Sequence, residues 1–364
     1  MAKSEGGAAG QISMPKPLAK VLLLGGANMP HLPEAPAPDE AVVRFLQAHA
    51  CRCCGICAVG SERGAFDAAT ETAASRIKEF GIDLAAFYDV PQERLADVFS
   101  AFKEVKHIGA GQTRAAAARP EILFLNGVRL GFLFLSEQDG AGGYACEADF
   151  WGDGVFDAVR MLLPQCDHVI VFYRAGLPGM DLPLPELRAR CRRLADAGAS
   201  VVCSVSQDAR MGWEEYAQGL IVYGLGVFTD SQDTADGSLA VSVDFERNGK
   251  FSYEARLLET QEGVLRFSQS DPLKARVNTQ NALLANETAY LAEADRLCLA
   301  RYESGEDELP GVRARGHKRG GISELMRKKA TPAQEEERLQ GLLSSPSLRQ
   351  MTLRALRAEQ KAGK

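Results

Sequence analysis

Three consecutive stretches decide the reading of this chain: Asp167-His-Val-Ile-Val-Phe-Tyr-Arg-Ala-Gly176, Leu184-Pro-Glu-Leu-Arg-Ala-Arg-Cys-Arg-Arg-Leu-Ala-Asp-Ala-Gly-Ala-Ser-Val-Val-Cys-Ser-Val-Ser-Gln-Asp-Ala-Arg210, and Gly219-Leu-Ile-Val-Tyr-Gly-Leu-Gly-Val-Phe228. The first is a short, continuous apolar run, as a strand buried on both faces requires. The second opens on Leu-Pro, carries a helical pattern over Leu184–Ala197, and returns through Ala-Gly-Ala to a strand at Ser200–Ser204. The third adds a strand at Leu220–Tyr223. Strand, crossover helix and strand in succession are the unit of an α/β sheet.

The same alternation extends outward. Lys20–Gly26 reads as a buried strand ending in a glycine turn, and Pro-rich residues 30–38 as a loop. Glu40–His49, Ala73–Phe80, Glu93–Val105 and Gly154–Leu163 read as helices, and Ile82–Phe87 and His168–Tyr173 as strands. Asn126-Gly127 joins strands Glu121–Leu125 and Arg129–Leu135. Asn248-Gly249 joins Leu239–Glu246 and Lys250–Leu258. Asn-Gly between apolar runs is a hairpin signal, because both turn residues need positive φ. Hairpins among strand–helix alternation predict a layered α/β domain with mixed sheets flanked by helices, followed by a helical C-terminal extension. The expected boundaries are a disordered lead over 1–18, the α/β domain over 19–268, a helical extension over 269–305, with one long helix at Leu283–Tyr302, and a basic, partly helical tail over 306–364.

Composition narrows the function classes. The chain has 364 residues, 46% of them apolar and 25% charged, with net charge −6. That balance suits a water-soluble domain with a large core and argues against bulk nucleic-acid binding. No run reaches the ~18 apolar residues of a membrane span. The N-terminus lacks a signal-peptide pattern, and nine cysteines is an odd, scattered set, so the expected compartment is the cytoplasm. Charge is unevenly spread. Residues 311–364 hold 13 Lys and Arg against 5 Glu, net +8, which leaves −14 for the rest. This tail is a candidate surface for a protein partner, an anionic membrane surface or RNA, or it folds back on the acidic domain. Thr331-Pro332 marks a helix start there, and Arg354, Arg357 and Lys361 interleave with Leu353 and Leu356.

The three opening stretches, His107–Leu135 with its Gly109-Ala-Gly111 turn, and Lys20–Met29 together resemble the CapA family, the poly-γ-glutamate capsule synthesis proteins. The resemblance covers roughly residues 19–268 and implies a fold similar to the calcineurin-like metallophosphoesterases. It also implies a metal site, and there the chain departs from the pattern. The family's opening-strand Asp falls on Gly26, and its Gly-Asn-Leu-Glu on Gly55, Ile56, Cys57 and Ala58. Its Asn-Asn-His loop shrinks to Tyr88-Asp89-Val90-Pro91. Its His-Trp-Gly histidine falls on Arg174, its His-His-Pro-His on Val205, Ser206, Gln207 and Asp208, and its Leu-Gly-Asn-Phe asparagine on Val227. A two-metal centre needs carboxylate, amide and imidazole ligands converging from several strand ends. No metal is therefore expected at the family site.

Arg174 and Asp208 are expected to form a salt bridge in place of a metal, with Arg174, Asp208 and Asp230 as the candidate ligand-binding set. Cys51, Cys53, Cys54 and Cys57 form C-x-C-C-x-x-C, a thiol set that zinc or another thiophilic metal would accept. The plainer reading is a buried strand with small side chains. Asp139, Asp149, Trp151 and Asp153, among glycines, read as a loop over the cleft. No two of the five histidines form a close-spaced ligand pair. The leading functional expectation is a catalytically silent accessory or binding protein of capsule or cell-envelope polymer synthesis. Its rivals are a phosphoesterase or ligase-like enzyme rebuilt near Arg174, Asp208 and Asp230, and an adaptor acting through residues 311–364.

Overall fold

The computed structural model describes residues 18–58, 65–137, 148–205, 210–229, 237–304 and 332–362. The strands are β1 (Leu18–Asn28), β2 (Ala37–Pro38), β3 (Cys51–Cys57), β4 (Leu84–Tyr88), β5 (Lys106–Ile108), β6 (Glu121–Leu125), β7 (Val128–Ser136), β8 (His168–Arg174), β9 (Val201–Ser204), β10 (Trp213–Tyr216), β11 (Gly219–Val222), β12 (Ser238–Glu246), β13 (Phe251–Gln261) and β14 (Val264–Phe267). The helices are α1 (Glu40–Gln47), α2 (Ala65–Glu79), α3 (Leu95–Ala101), α4 (Arg114–Ala117), α5 (Val155–Leu162), α6 (Pro185–Asp196), α7 (Asp271–Ala285), α8 (Glu287–Ser304), α9 (Pro332–Ser344) and α10 (Pro346–Ala362).

The first sheet runs β2-β14-β13-β12-β1-β3-β4-β5, and the second β10-β11-β9-β8-β7-β6. In the first, β1, β3, β4 and β5 are parallel and β12 joins β1 antiparallel. In the second, β7, β8, β9 and β11 are parallel, with antiparallel β6 and β10 at the edges. The inner faces meet in an apolar layer that includes Val21, Leu23, Leu84, Phe132, Phe172 and Val222. The helices lie outside. Val42, Ile77 and Phe102 cover the first sheet, and Val159, Leu187 and Leu194 cover the second. This is the layered α/β architecture with mixed sheets that the strand–helix alternation implies.

The Asn126-Gly127 turn has φ of 49° and 86°, both positive as its hairpin requires. Several elements differ from the sequence reading, among them the short strands β2, within the expected loop over 30–38, and β5. The single helix at 283–302 is the second of two. α7 starts at Ser270, whose hydroxyl accepts from the Leu273 amide. The break falls at Asn286, whose side chain accepts from the Ala289 amide. β10 and β14 were also missed. Trp213-Glu-Glu-Tyr216 offers little apolar pattern, and β14 follows a tight turn at Glu262-Gly263 with φ of 53° and 71°.

The helical extension is fastened to the domain by charge as well as by apolar contact. Glu214 on β10 accepts from Arg188, Arg192 and the Tyr223 hydroxyl. Arg188 also reaches Glu287 and the Leu284 carbonyl and lies 4.3 Å from the Tyr290 ring centroid. Burial raises the Glu214 pKa, but the hydrogen bonds from Arg192, Arg188 and Tyr223 outweigh it and hold the carboxyl at about 2. α10 packs on α8, with Met351 and Ala355 fully buried. Arg354 pairs with Glu186 and Asp295 at 2.8 Å each. Part of the tail's positive charge is thus used inside the molecule.

Two predictions follow from these buried polar groups. Glu214→Ala leaves the Arg188 guanidinium buried without its main counter-charge, so urea unfolding should show a loss of about 3–5 kcal/mol. The second concerns pH. His168 Nε2 donates to the Glu246 carbonyl at 2.7 Å and its Nδ1 accepts from the Ser200 hydroxyl at 3.0 Å. His49 is held in the same way between the Phe45 carbonyl and Ser242. Burial lowers both imidazole pKa values from 6.5. Below 6.5 the unfolded chain takes up protons that the folded chain does not. Their contribution is therefore complete above that pH and is lost as pH falls through the lowered folded values. Melting temperature against pH should decline on the acid side of about 6.5, and His168→Gln should flatten the slope.

Candidate functional site

Those ligand positions of the family pattern that lie among the described residues sit at the C-terminal ends of the parallel strands. Gly26 on β1 is Cα partner to Gly55 on β3, and Cys57 to Tyr88 on β4. Across the sandwich, Ser136 on β7 partners Arg174 on β8. What converges is not a ligand set. Gly26 donates to the Gly226 carbonyl at 2.9 Å, and Phe228 donates back to the Gly26 carbonyl at 3.3 Å. Gly26 and Val227 thereby form a parallel bridge between the two sheets. A Cβ on Gly25 would lie 1.8 Å from the Gly226 oxygen, and one on Gly55 2.0 Å from the Val205 oxygen. Main chain touches main chain at Gly25 and Gly55, positions where the family pattern also has glycine, and only glycine permits that approach.

Arg174 supplies the remaining contact. Its Nη2 is 3.0 Å from Asp89 Oδ2, its Nη1 donates to the Glu137 carbonyl at 2.8 Å, and the guanidinium sits 5.7 Å from the Tyr88 ring centroid. The expected partner, Asp208, lies outside the described residues, as do Asp230 and Asp139. The observed counter-charge is Asp89, in the shortened loop after β4. Its φ of 50° is a left-handed conformation that Asp tolerates better than most residues. Cys57 Sγ approaches the same carboxylate at 4.0 Å. A fixed guanidinium in ion-pair contact with the local carboxylate excludes a cation from that spot. The described residues at these strand ends do not fit a two-metal centre, and no step through one is derived.

The cysteines do not assemble into a site either. Strand alternation sends Cys51, Cys53 and Cys57 into the layer between the sheets and Cys54 to the opposite, helix-covered face. Cys51 and Cys53 sulfurs are 3.7 Å apart. Burial pushes the Cys53 and Cys54 thiols up, Cys53 further through its contact with Cys51, away from the thiolate form. Among the described residues, no three His, Cys, Asp or Glu side chains are grouped to hold a metal.

Glu137 is the site residue that the sequence reading missed. It is 4% exposed and sits at the end of β7 beside Arg174, whose carbonyl accepts from its amide at 2.7 Å. Its carboxylate accepts from the Ser347 amide at 2.8 Å, the Ser347 hydroxyl at 2.5 Å, the Ser345 hydroxyl at 3.0 Å and Trp151 Nε1 at 2.9 Å. Ser345 and Ser347 open α10, so a carboxylate from the domain satisfies one of the amides that the helix start leaves unpaired, that of Ser347. Trp151 belongs to the Asp149–Gly154 segment, which thus lies at the strand ends. Asp149 caps the Trp151 amide at 2.9 Å, and Asp153 is almost fully exposed. Between the strand ends and the α9–α10 connection remains a cavity of about 430 Å³, lined by Arg174, Leu177, Arg301, Ser344 and Leu348 among others. Ser345-Pro346-Ser347 is a legible helix start, but nothing near it in sequence names its distant carboxylate.

This chain is similar to several known proteins. Residues 68–232 match the family model of the bacterial capsule synthesis protein PGA_cap. Over this region the chain is similar to the capsule synthesis proteins of that family. A curated relative, the capsule biosynthesis protein CapA of Bacillus anthracis, is 26% identical over 181 residues, 46% of this chain and 44% of that protein. The chain therefore aligns with less than half of that relative's length. Similar solved structures include a novel phosphatase of Mycoplasma pneumoniae, with TM-score 0.44 and 10% identity over 72% of this chain and 98% of that one. Another is the NAD nucleotidase of Haemophilus influenzae, with TM-score 0.44 and 11% identity over 81% and 61%.

If the glycine contacts set the geometry of the CapA-like strand ends, a single methyl group should disturb it. Gly25→Ala should cost about 3 kcal/mol or more in urea unfolding, at the upper end for overpacked cores. Ala substituted at the exposed Gly249, where a Cβ would meet nothing within 4 Å but φ is 83°, should cost much less.

Proposed function

We propose that this chain is an accessory or binding component of capsule or cell-envelope polymer synthesis that keeps the CapA scaffold without its metal-dependent chemistry. The observation that carries the proposal is the Arg174–Asp89 ion pair at 3.0 Å, set among strand ends closed by glycine-to-carbonyl contact. A phosphoester transition state is stabilised by cations that neutralise developing charge and orient the attacking water. Here the positive charge is already matched by a carboxylate, and the neighbouring positions are main chain. The link to capsule synthesis rests on the family match, and a poly-γ-glutamate-type polymer on the sequence resemblance alone.

A reducing compartment fits the same reading, because the eight cysteines among the described residues are buried and form no disulfide with one another. No described helix is long and apolar enough to cross a membrane.

Hydrolysis of phosphomonoesters and phosphodiesters by the full chain, with Mn²⁺, Mg²⁺ or Zn²⁺ added in turn, is expected to stay at background. None of the metals is expected to raise the melting temperature. Metal-dependent turnover that Arg174→Ala abolishes would overturn the proposal in favour of a rebuilt phosphoesterase.

A further inference from the structure

Strand β6 is the outer edge of the six-stranded sheet, and edges of natural sheets are ordinarily blunted by charge, proline or a bulge. This one presents apolar side chains instead. Phe124 is 72% exposed and Ile122 41% exposed. Both belong to the face of the sheet on which α5 lies, because Leu123 points into the layer between the sheets and alternate residues point oppositely. Met161 at the end of α5 and Leu163 just beyond it are also exposed, at 70% and 42%.

The hairpin fixes which backbone groups are available. In a two-residue Asn126-Gly127 hairpin, Leu125 and Val128 form the first hydrogen-bonded pair, and the ladder alternates from there. Leu123 and Glu121 therefore bond to Leu130 and Phe132, while Ile122 and Phe124 face Gly131 and Arg129 in non-bonded pairs. The Arg129 amide and carbonyl bond to Asp167 instead, at 2.7 and 2.8 Å. The amides and carbonyls of Ile122 and Phe124 thus point outward, and among the described residues no strand pairs with that edge.

We infer that β6 is a homodimerisation edge, pairing antiparallel with β6 of a second copy in a register centred on Leu123. In that register Ile122 of one copy faces Phe124 of the other, twice. Both residues have outward backbone groups, so each facing pair exchanges two hydrogen bonds. The paired side chains share one face and form a four-residue apolar cluster over the continuous sheet. Charge permits the pairing. Glu121, the one charged residue of β6, faces Leu125 of the other copy, so no like charges oppose each other. Pro120 lacks an amide and Asn126 turns away, which confines the ladder to this segment. An edge of this length buries less than the ~1,600 Å² of a standard interface, so the dimer is weak and depends on concentration.

Sedimentation velocity of the full chain over a broad concentration series, with hydrogen exchange read at single amides, tests this. The expected result is a monomer–dimer equilibrium, with the Ile122 and Phe124 amides gaining protection as the dimer forms. Phe124→Glu places a carboxylate beside Arg129, so the monomer keeps its melting temperature while the dimer is lost. A monomer at every concentration would overturn the inference. So would an undiminished dimer in Phe124→Glu, or association without protection at the two amides.

Discussion

The contact on which the rest of the structure depends is the approach of main chain to main chain between Gly25-Gly26 and residues 226–228, repeated between Gly55 and the Val205 carbonyl. A side chain at any of these points would wedge the sheets apart where their parallel strands end. Among the described residues, backbone hydrogen bonds and the Arg174–Asp89 ion pair bridge the two sheets there. Glycine is required because no other residue brings a Cα so close to a facing carbonyl.

The closed strand ends are then covered by the chain itself. Glu137 leaves β7 as a buried carboxylate and receives amide and hydroxyl groups from the start of α10. A buried carboxylate with several donors is well satisfied, whereas the same group without them would be costly. The docking is extended by Met351 and Ala355 in the core and by Arg354 between Glu186 and Asp295. A segment that reads by composition as a basic tail is, over α10, an integral part of the outer helix layer. The cavity beside Arg174 is consequently walled partly by the C-terminal helices.

The layered fold was legible because its signals are local. Apolar runs at 168–173 and 201–204, the Leu-Pro helix start at 184–185 and two Asn-Gly turns each act within a few residues. Helix breaks and polar strands were harder. Asn286 interrupts a run with continuous helical propensity, and Trp213-Glu-Glu-Tyr216 is a strand because Glu214 finds Arg188 and Arg192 on a helix about twenty residues away in sequence. Of the candidate set Arg174, Asp208 and Asp230, only Arg174 lies among the described residues. Gly26 meets Val227, and Gly55 approaches Val205, through main chain. The partners were not legible, since Asp89 and Glu137 are chosen by tertiary proximity. The cysteine run illustrates the opposite case. Its spacing suggested a cluster, but the two-residue period of a strand divides it between two faces.

The central claim is that the strand ends are held by an ion pair and backbone contact in place of metal. The most direct measurement is a crystal structure of the full chain grown with excess Mn²⁺, with anomalous scattering used to locate the ion. The account predicts Arg174 in contact with Asp89, Gly26 bonded to Gly226, and no anomalous density between them. Manganese coordinated by Asp89, with Arg174 swung away, would contradict it.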